Sequence, residues 1–342
     1  MFRGEQLTDG KVLLEVTDKH LNTGLRGVPV GTCRTSFVTP DEGVHYCGYP
    51  ISELANFDPE DIVYLLFNKE LPTAEQSAEF RQELAARAMV PGDLKSILQT
   101  LPKDGHPMDW LSVGIHALGM FETVGDWKED ALNLIARMPR LMGLMFRIRE
   151  NRIDNIPDDD PTLTMVDRFV QTLDFEGVDK TKMKRVISTY LVLHMDHGGG
   201  NLSTFTGKAI ASGKATLYSA MAGAMNALSG PLHGRANQSC LEFVLKVGTS
   251  NPAEVEAFVR AELEAKRPIF GFGHAVLRAE DPRATVQLKL GAKICPDDEN
   301  FKIVSALREI APKVLAENPK ISNPNANVDI ASGALLHNIG LT

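Results

Sequence analysis

The chain has 342 residues, 43% of them apolar, with a formal net charge of −8. A single core stops growing near this length, so two domains are expected, and the acidic balance excludes the broad cationic face that nucleic acid or an anionic membrane requires. Cys33, Cys47, Cys240 and Cys295 lie far apart with no Cys-x-x-Cys pair, which points to reduced, buried thiols and neither a disulfide framework nor a thiolate metal site.

No apolar stretch reaches the ~18 residues of a membrane span, and the Met1-Phe2-Arg3-Gly4 start lacks a secretory apolar run. A cytoplasmic location is expected, or an organelle matrix where a presequence has been removed. The first 50 residues read as irregular, apart from β-leaning pieces around Pro40-Asp41-Glu42-Gly43 that predict a small hairpin. Thr73 with Gln76 three residues on is a capping-box pattern, followed by a helix that stacks Phe80 and Leu84 on one face. A helix over Lys128–Arg147 follows, which Pro139 should kink or divide. After a loop from Asp154 to Pro161, helices are predicted over Met183–His197 and Thr216–Leu228, the second rich in Ala, Gly and Met and suited to burial. Without convincing strands beyond the hairpin, the fold class is mainly α, and glycines near 198, 230 and 271 mark the expected hinges.

Several junctions carry side chains able to do chemistry. Ser229-Gly230-Pro231 ends one helix and Arg235–Val247 reads as the next, so His233 falls at a helix N-terminus. The partial positive charge there disfavours imidazolium and suits the ring to donate a hydrogen bond; filling a turn is the other reading. Pro268-Ile269-Phe270-Gly271-Phe272-Gly273 cannot be regular helix, and its glycines let backbone groups reach a ligand beside His274. It is neither a dinucleotide fingerprint nor a P-loop. Arg278, one turn beyond His274, and Arg283, after Asp281-Pro282, either bind a carboxylate or phosphate or lie on a solvated helix face. Asp329 precedes the helical run Ile330–Ile339 and is either its N-cap or a general base. His194-Met195-Asp196-His197 has a His-x-x-His spacing but no third ligand nearby, so no metal is expected.

Taken together these segments resemble citrate synthase, in its si-type, eukaryotic-like branch. The likeness runs through Leu193 to Gln238, Gly271-Phe272-Gly273-His274-Ala275-Val276-Leu277-Arg278 with Asp281-Pro282-Arg283, and Asn327-Val328-Asp329 with Ser332-Gly333. Upstream, Gly24-Leu25-Arg26-Gly27, Pro40-Asp41-Glu42-Gly43, Gly48-Tyr49, Leu71-Pro72-Thr73 and His106-Pro107-Met108 fall in the family's order. The resemblance implies an all-α homodimer, with a large domain over 1–232, a smaller one over 233–336 that closes over substrate, and a return to the large domain at 337–342. It implies condensation of acetyl-CoA with oxaloacetate, coenzyme A thioester being a substrate and no cofactor being permanently bound. By the same resemblance, Asp329 removes a methyl proton, His233 holds the thioester oxygen and His274 polarises the ketone. His197, Asn201, His274 and Arg283 bind oxaloacetate, while Arg26, Gly271, Phe272, Gly273 and Arg278 hold the coenzyme.

Family members continue past the third block with helices that carry two further arginines for substrate carboxylates, and no residue of this sequence is assigned to either role. A longer native polypeptide is therefore expected, or weak substrate affinity for these residues alone. The rival readings are 2-methylcitrate synthase, a citryl-CoA lyase, and a structural homologue without activity.

Overall fold

The turn Pro40-Asp41-Glu42-Gly43 reverses the chain between β1 (Ser36–Thr39) and β2 (Gly43–Tyr46), and β3 (Tyr49–Pro50) completes an antiparallel sheet in the order β1-β2-β3. The computed structural model describes residues 12–22, 28–154, 156–158, 160 and 162–341. Register sets Phe37 opposite His45, and their rings stack with centroids 4.6 Å apart, a cross-strand pair that stabilises the hairpin. The third strand had no signal of its own, because it depends on Cys47 and Gly48 turning the chain at φ 50° and 96°.

Below the sheet lie α1 (Ile51–Leu54) and α2 (Pro59–Asn68), which bury Ile51, Leu54, Ile62 and Leu65 against Val44 and Tyr46. The helix α3 (Ala74–Arg87) begins at the expected capping box. Gln76 N–H donates to Thr73 Oγ1 at 3.3 Å, Thr73 N–H donates to Gln76 Oε1 at 2.9 Å, and Phe80 and Leu84 form the buried face. Next come α4 (Gly92–Gln99), α5 (Pro107–Glu122) and α6 (Trp127–Arg149). Pro139 does not divide α6, which runs unbroken through it with Pro139 itself buried. Leu132 and Leu134 before it, and Leu141 and Leu144 after it, are all buried, and that burial outweighs the one backbone hydrogen bond proline removes.

Two helices then lead to the site. After α7 (Met165–Leu173), α8 (Lys180–His194) starts earlier than expected, on the side-chain cap of Asp179, and stops at His194. His197 is thereby released from the helix onto the turn Gly198-Gly199-Gly200. Next, α9 (Leu202–Ser212) and α10 (Leu217–Leu228, capped by Thr216) pack together, and α10 lies on α5. The approach to α5 is close: a Cβ on Gly119 would stand 2.5 Å from Tyr218 Cβ. Tyr218, Ala220, Ala222 and Ala224 are the buried face of α10.

The remaining helices are α11 (Ala236–Val247), α12 (Pro252–Glu264), α13 (Pro282–Ile294), α14 (Glu299–Ala316) and α15 (Asp329–Asn338). Val244, Val255, Val259, Val304, Leu307 and Ile330 make their common core, to which α7 and α8 add Val170, Leu173 and Met183. Cys240 and Cys295 are buried as expected, whereas Cys33 and Cys47 are only partly covered, because they flank the small sheet.

Candidate active site

The loop that carries His274 is held by the segment that carries Asp329. Gly271 and Gly273 take φ of 83° and 82°, which side chains resist, and Phe272 bridges to Ala326 in antiparallel fashion. Asn327 N–H donates to Gly271 O and Gly273 N–H to Asn325 O, both at 2.9 Å. A Cβ on Gly271 would stand 2.8 Å from Ile330 Cδ1 and 2.9 Å from Cys240 Sγ. Gly271→Ala should therefore lower stability by about 1–3 kcal/mol through strain and overpacking. Chemical denaturation measures this, and an unchanged midpoint would show that the loop tolerates a side chain there.

His274 Nδ1 accepts from Val276 N–H and Leu277 N–H, both at 3.0 Å. Two backbone donors on Nδ1 leave the proton on Nε2, which is able to donate. Burial lowers the His274 pKa; Asp281 opposes this, and Arg283 and Arg278 reinforce it. The ring is therefore uncharged near neutral pH and can still donate a hydrogen bond. No helical turn links it to Arg278, since residues 274–280 are irregular. Arg278 is exposed and closes on its own loop, Nη1 donating to Leu277 O at 2.8 Å and Val276 O at 3.1 Å.

The His197 ring meets the His274 ring edge to face, with centroids 5.6 Å apart. His194 diverges from it: its Nδ1 lies 2.7 Å from Tyr190 O, and the ring stacks on Tyr190. The His-x-x-His spacing therefore does not place two imidazoles together, and no metal-holding group of three His, Cys, Asp or Glu exists among the described residues. Desolvation lowers both pKa values to about 4. Solvent still reaches both rings, which dilutes this penalty, and neither carries charge at neutral pH. Asp196 anchors the turn beside them, accepting from Thr35 Oγ1 and Ser36 Oγ at 2.5 Å each and from Gly198 N–H at 2.8 Å.

Asn201 is the N-cap of α9, Oδ1 accepting from Thr204 N–H at 2.9 Å, while Nδ2 donates to Gly198 O at 3.1 Å. His233 sits in the turn before α11, but α9 is the helix whose N-terminus meets its ring. Ser203 N–H donates to Nε2 at 3.2 Å, with Ser203 Oγ 3.0 Å from the same nitrogen. Nε2 is thus an acceptor, and Nδ1 is the position left to donate. Among the described residues no hydrogen bond, ion pair or ring contact joins His233 to His274 or Asp329.

Asp329 is the first residue of α15 and does not cap it. The N-cap position is Val328, which offers no side-chain cap, and Asn327 Oδ1 takes Asp329 N–H at 3.0 Å in an Asx turn just before the helix. Among the described residues no donor reaches the Asp329 carboxylate. Burial raises its pKa, Arg283 lowers it and Asp281 raises it further, leaving a carboxylate more basic than usual.

Arg283 is paired within the chain. It is buried with Asp281, Nη2 donating to Oδ2 at 2.7 Å and Nε to Oδ1 at 3.1 Å. Asp281 Oδ1 also accepts from Arg283 N–H at 2.9 Å and so starts α13. Asp281, Asn327 and Asp196 stood in the quoted sequence blocks without a role of their own, and Ser203 was not named from the sequence. Asp281-Pro282 has the pattern of an N-cap followed by proline, and Asn327 two residues before Asp329 has that of an Asx turn; those signals were present. Arg26 lies outside the described residues. Beside the His274 loop, a cavity of about 250 Å³ is lined by Arg267, Pro268, Ile269, Phe272, Gly273 and Asn323, among others.

Comparison with known proteins places the chain in a family. A family model described as "Citrate synthase, C-terminal domain" matches residues 24–342. The mitochondrial citrate synthase 4 of Arabidopsis thaliana is 35% identical over 97% of this chain and 76% of that protein. A mitochondrial 2-methylcitrate synthase of Yarrowia lipolytica is 33% identical over 93% of this chain and 74% of that protein. The crystal structure of citrate synthase from Thermotoga maritima MSB8 superposes with a TM-score of 0.81 at 29% identity, covering 94% of this chain and 85% of that one. With the match spanning nearly all of its residues, the chain belongs to the citrate synthase family.

Proposed function

We propose that the chain condenses acetyl-CoA with oxaloacetate and hydrolyses the resulting citryl-CoA to citrate and coenzyme A, with Asp329 as base and His233 and His274 as hydrogen-bond donors. The observation that carries this reading is the Asp329 carboxylate, with no donor on it among the described residues and a pKa raised by burial. A thioester methyl is a very weak acid, and a carboxylate deprotonates it only if the developing enol oxygen meets a preorganised donor. Asp329 takes the proton as the C–H electron pair becomes the enolate C=C, and His233 Nδ1–H donates a hydrogen bond to the enolate oxygen. The enolate carbon attacks the ketone of oxaloacetate as its own oxygen returns to C=O, and the ketone oxygen takes the proton from His274 Nε2. Water then cleaves the thioester, and exchange with solvent resets both groups.

His197, Asn201 and Arg283 are assigned to oxaloacetate. The cavity beside Phe272 and Gly273 is assigned to coenzyme A, together with Gly271, Arg278 and Arg26. Closure of 233–336 over a large domain of 1–232 and 337–342 assembles the site and excludes water. A second copy of the chain is proposed to cover α9, which buries none of its residues, and the neighbouring Met120 and Phe121, which are 81% and 45% exposed. The mitochondrial names of the relatives favour an organelle matrix over the cytoplasm. Among the described residues no helix is long and apolar enough to cross a membrane.

Thiol release measured with acetyl-CoA and with propionyl-CoA, each with oxaloacetate, tests the reading. Faster release from acetyl-CoA is expected. A clear propionyl preference would move the chain to 2-methylcitrate synthase, and cleavage of supplied citryl-CoA without thioester hydrolysis would move it to a lyase. Failure of a folded sample to release thiol from either would leave a structural homologue.

A further inference from the structure

We infer that Asn327 is a positioning residue that sets Asp329 against His274, holding each through the backbone beside it. Its carboxamide is used at both ends. Oδ1 accepts Asp329 N–H at 3.0 Å, Nδ2 donates to Gly273 O at 3.0 Å, and the Asn327 backbone N–H donates to Gly271 O at 2.9 Å. One planar group thus ties the residue before His274 to the first turn of α15. Because a carboxamide cannot rotate without breaking both bonds, the two reacting side chains share a single rigid frame.

Only a side chain with one acceptor and one donor at this length does this. An aspartate keeps the size and the acceptor for Asp329 N–H, but turns an unprotonated oxygen toward the Gly273 carbonyl and adds negative charge close to Asp329. A shift of about 1 Å between reacting groups costs on the order of 100-fold in rate, and a second carboxylate makes the first harder to ionise. The groups already facing Asp329 are Arg283 and Asp281 at the start of α13, Tyr190 on α8 and Cys240 on α11. All four are unchanged by this substitution.

The inference rests on Asp329 being the base. Asn327→Asp is expected to lower kcat by about 10- to 100-fold and to move the acid limb of kcat against pH to higher pH, with an unaltered circular dichroism spectrum. Asn327→Ala, which adds no charge, is expected to lower kcat while leaving that limb in place. A parent-like kcat and limb in Asn327→Asp would overturn the inference. So would equal losses in both variants with the limb unmoved, since that pattern reports only structural damage. If Asp329→Asn retains turnover, the base assignment itself fails. If Asp329→Asn is inactive while Asn327→Asp behaves like the parent, only the positioning role fails.

Discussion

Asp329→Asn is expected to lower kcat by about 10²- to 10⁴-fold, the range for losing a general base, and at the same time to raise stability at neutral pH. The two effects share one cause. The carboxyl is withdrawn from water, which raises its pKa above the ordinary 3.8 despite the pull of Arg283. In the unfolded chain it ionises at that ordinary value. Above the folded pKa the native state therefore carries a charge that it solvates less well than water does, and folding is penalised. As pH falls through the folded pKa the native carboxyl takes up a proton first and the penalty disappears. Asparagine keeps the shape without the charge, so its advantage in melting temperature should be present at pH 7 and absent below the ordinary carboxylate range. Unchanged turnover would remove Asp329 as the base, and a melting temperature lowered at pH 7 would contradict a costly buried charge. Retained binding of oxaloacetate to the inactive variant would separate loss of chemistry from loss of the site.

Asp281→Ala is expected to cost about 3–5 kcal/mol, the range for breaking a buried ion pair by removing one partner. Asp281 has 0% of its surface exposed and Arg283 only 4%, so the guanidinium left behind could not recover its hydration. The same substitution removes the cap on Arg283 N–H at the start of α13, a group typically worth about 1 kcal/mol by itself and not additive here, because one carboxylate serves both. Burial alone would raise the Asp281 pKa, but the hydrogen bonds and charge of Arg283 prevail and hold it below 3.8. This stabilisation is complete above the unfolded value and is lost as pH falls through the lower folded value. Urea denaturation at pH 7 and again near pH 3 tests both statements: the gap between parent and variant should be large at pH 7 and narrow on acidification. A loss under about 1 kcal/mol at pH 7, the usual worth of an exposed pair, would show that solvent reaches the ion pair. Oxaloacetate affinity should fall with it, because Asp281 also aims the guanidinium that is assigned to a substrate carboxylate.

The local chemistry of the chain was legible without coordinates. Thr73 and Gln76 form their capping box because its partners stand three residues apart, and the Pro40–Gly43 turn sets the hairpin by the same kind of short-range constraint. The ordered blocks around His233, His274 and Asp329 identified the family, since residue identity is what such blocks record. Partners supplied by distant segments were not legible. The helix terminus that meets His233 belongs to α9 and not to the helix that follows it. Arg278 spends its donors on its own loop, and Arg283 arrives already paired. Pro139 sits inside an unbroken helix because tertiary burial on both sides outweighs a local penalty.

The sequence by itself determined a mainly helical chain, the residues able to act as base and donors, and the glycines that let loops approach one another. Only the tertiary structure decided which ring nitrogens carry protons and that the Asp329 carboxylate, with no donor on it among the described residues, is withdrawn from water with its pKa raised. Residue type fixes what a side chain can do; its partners and its access to water, brought together from far apart in the chain, fix what it does.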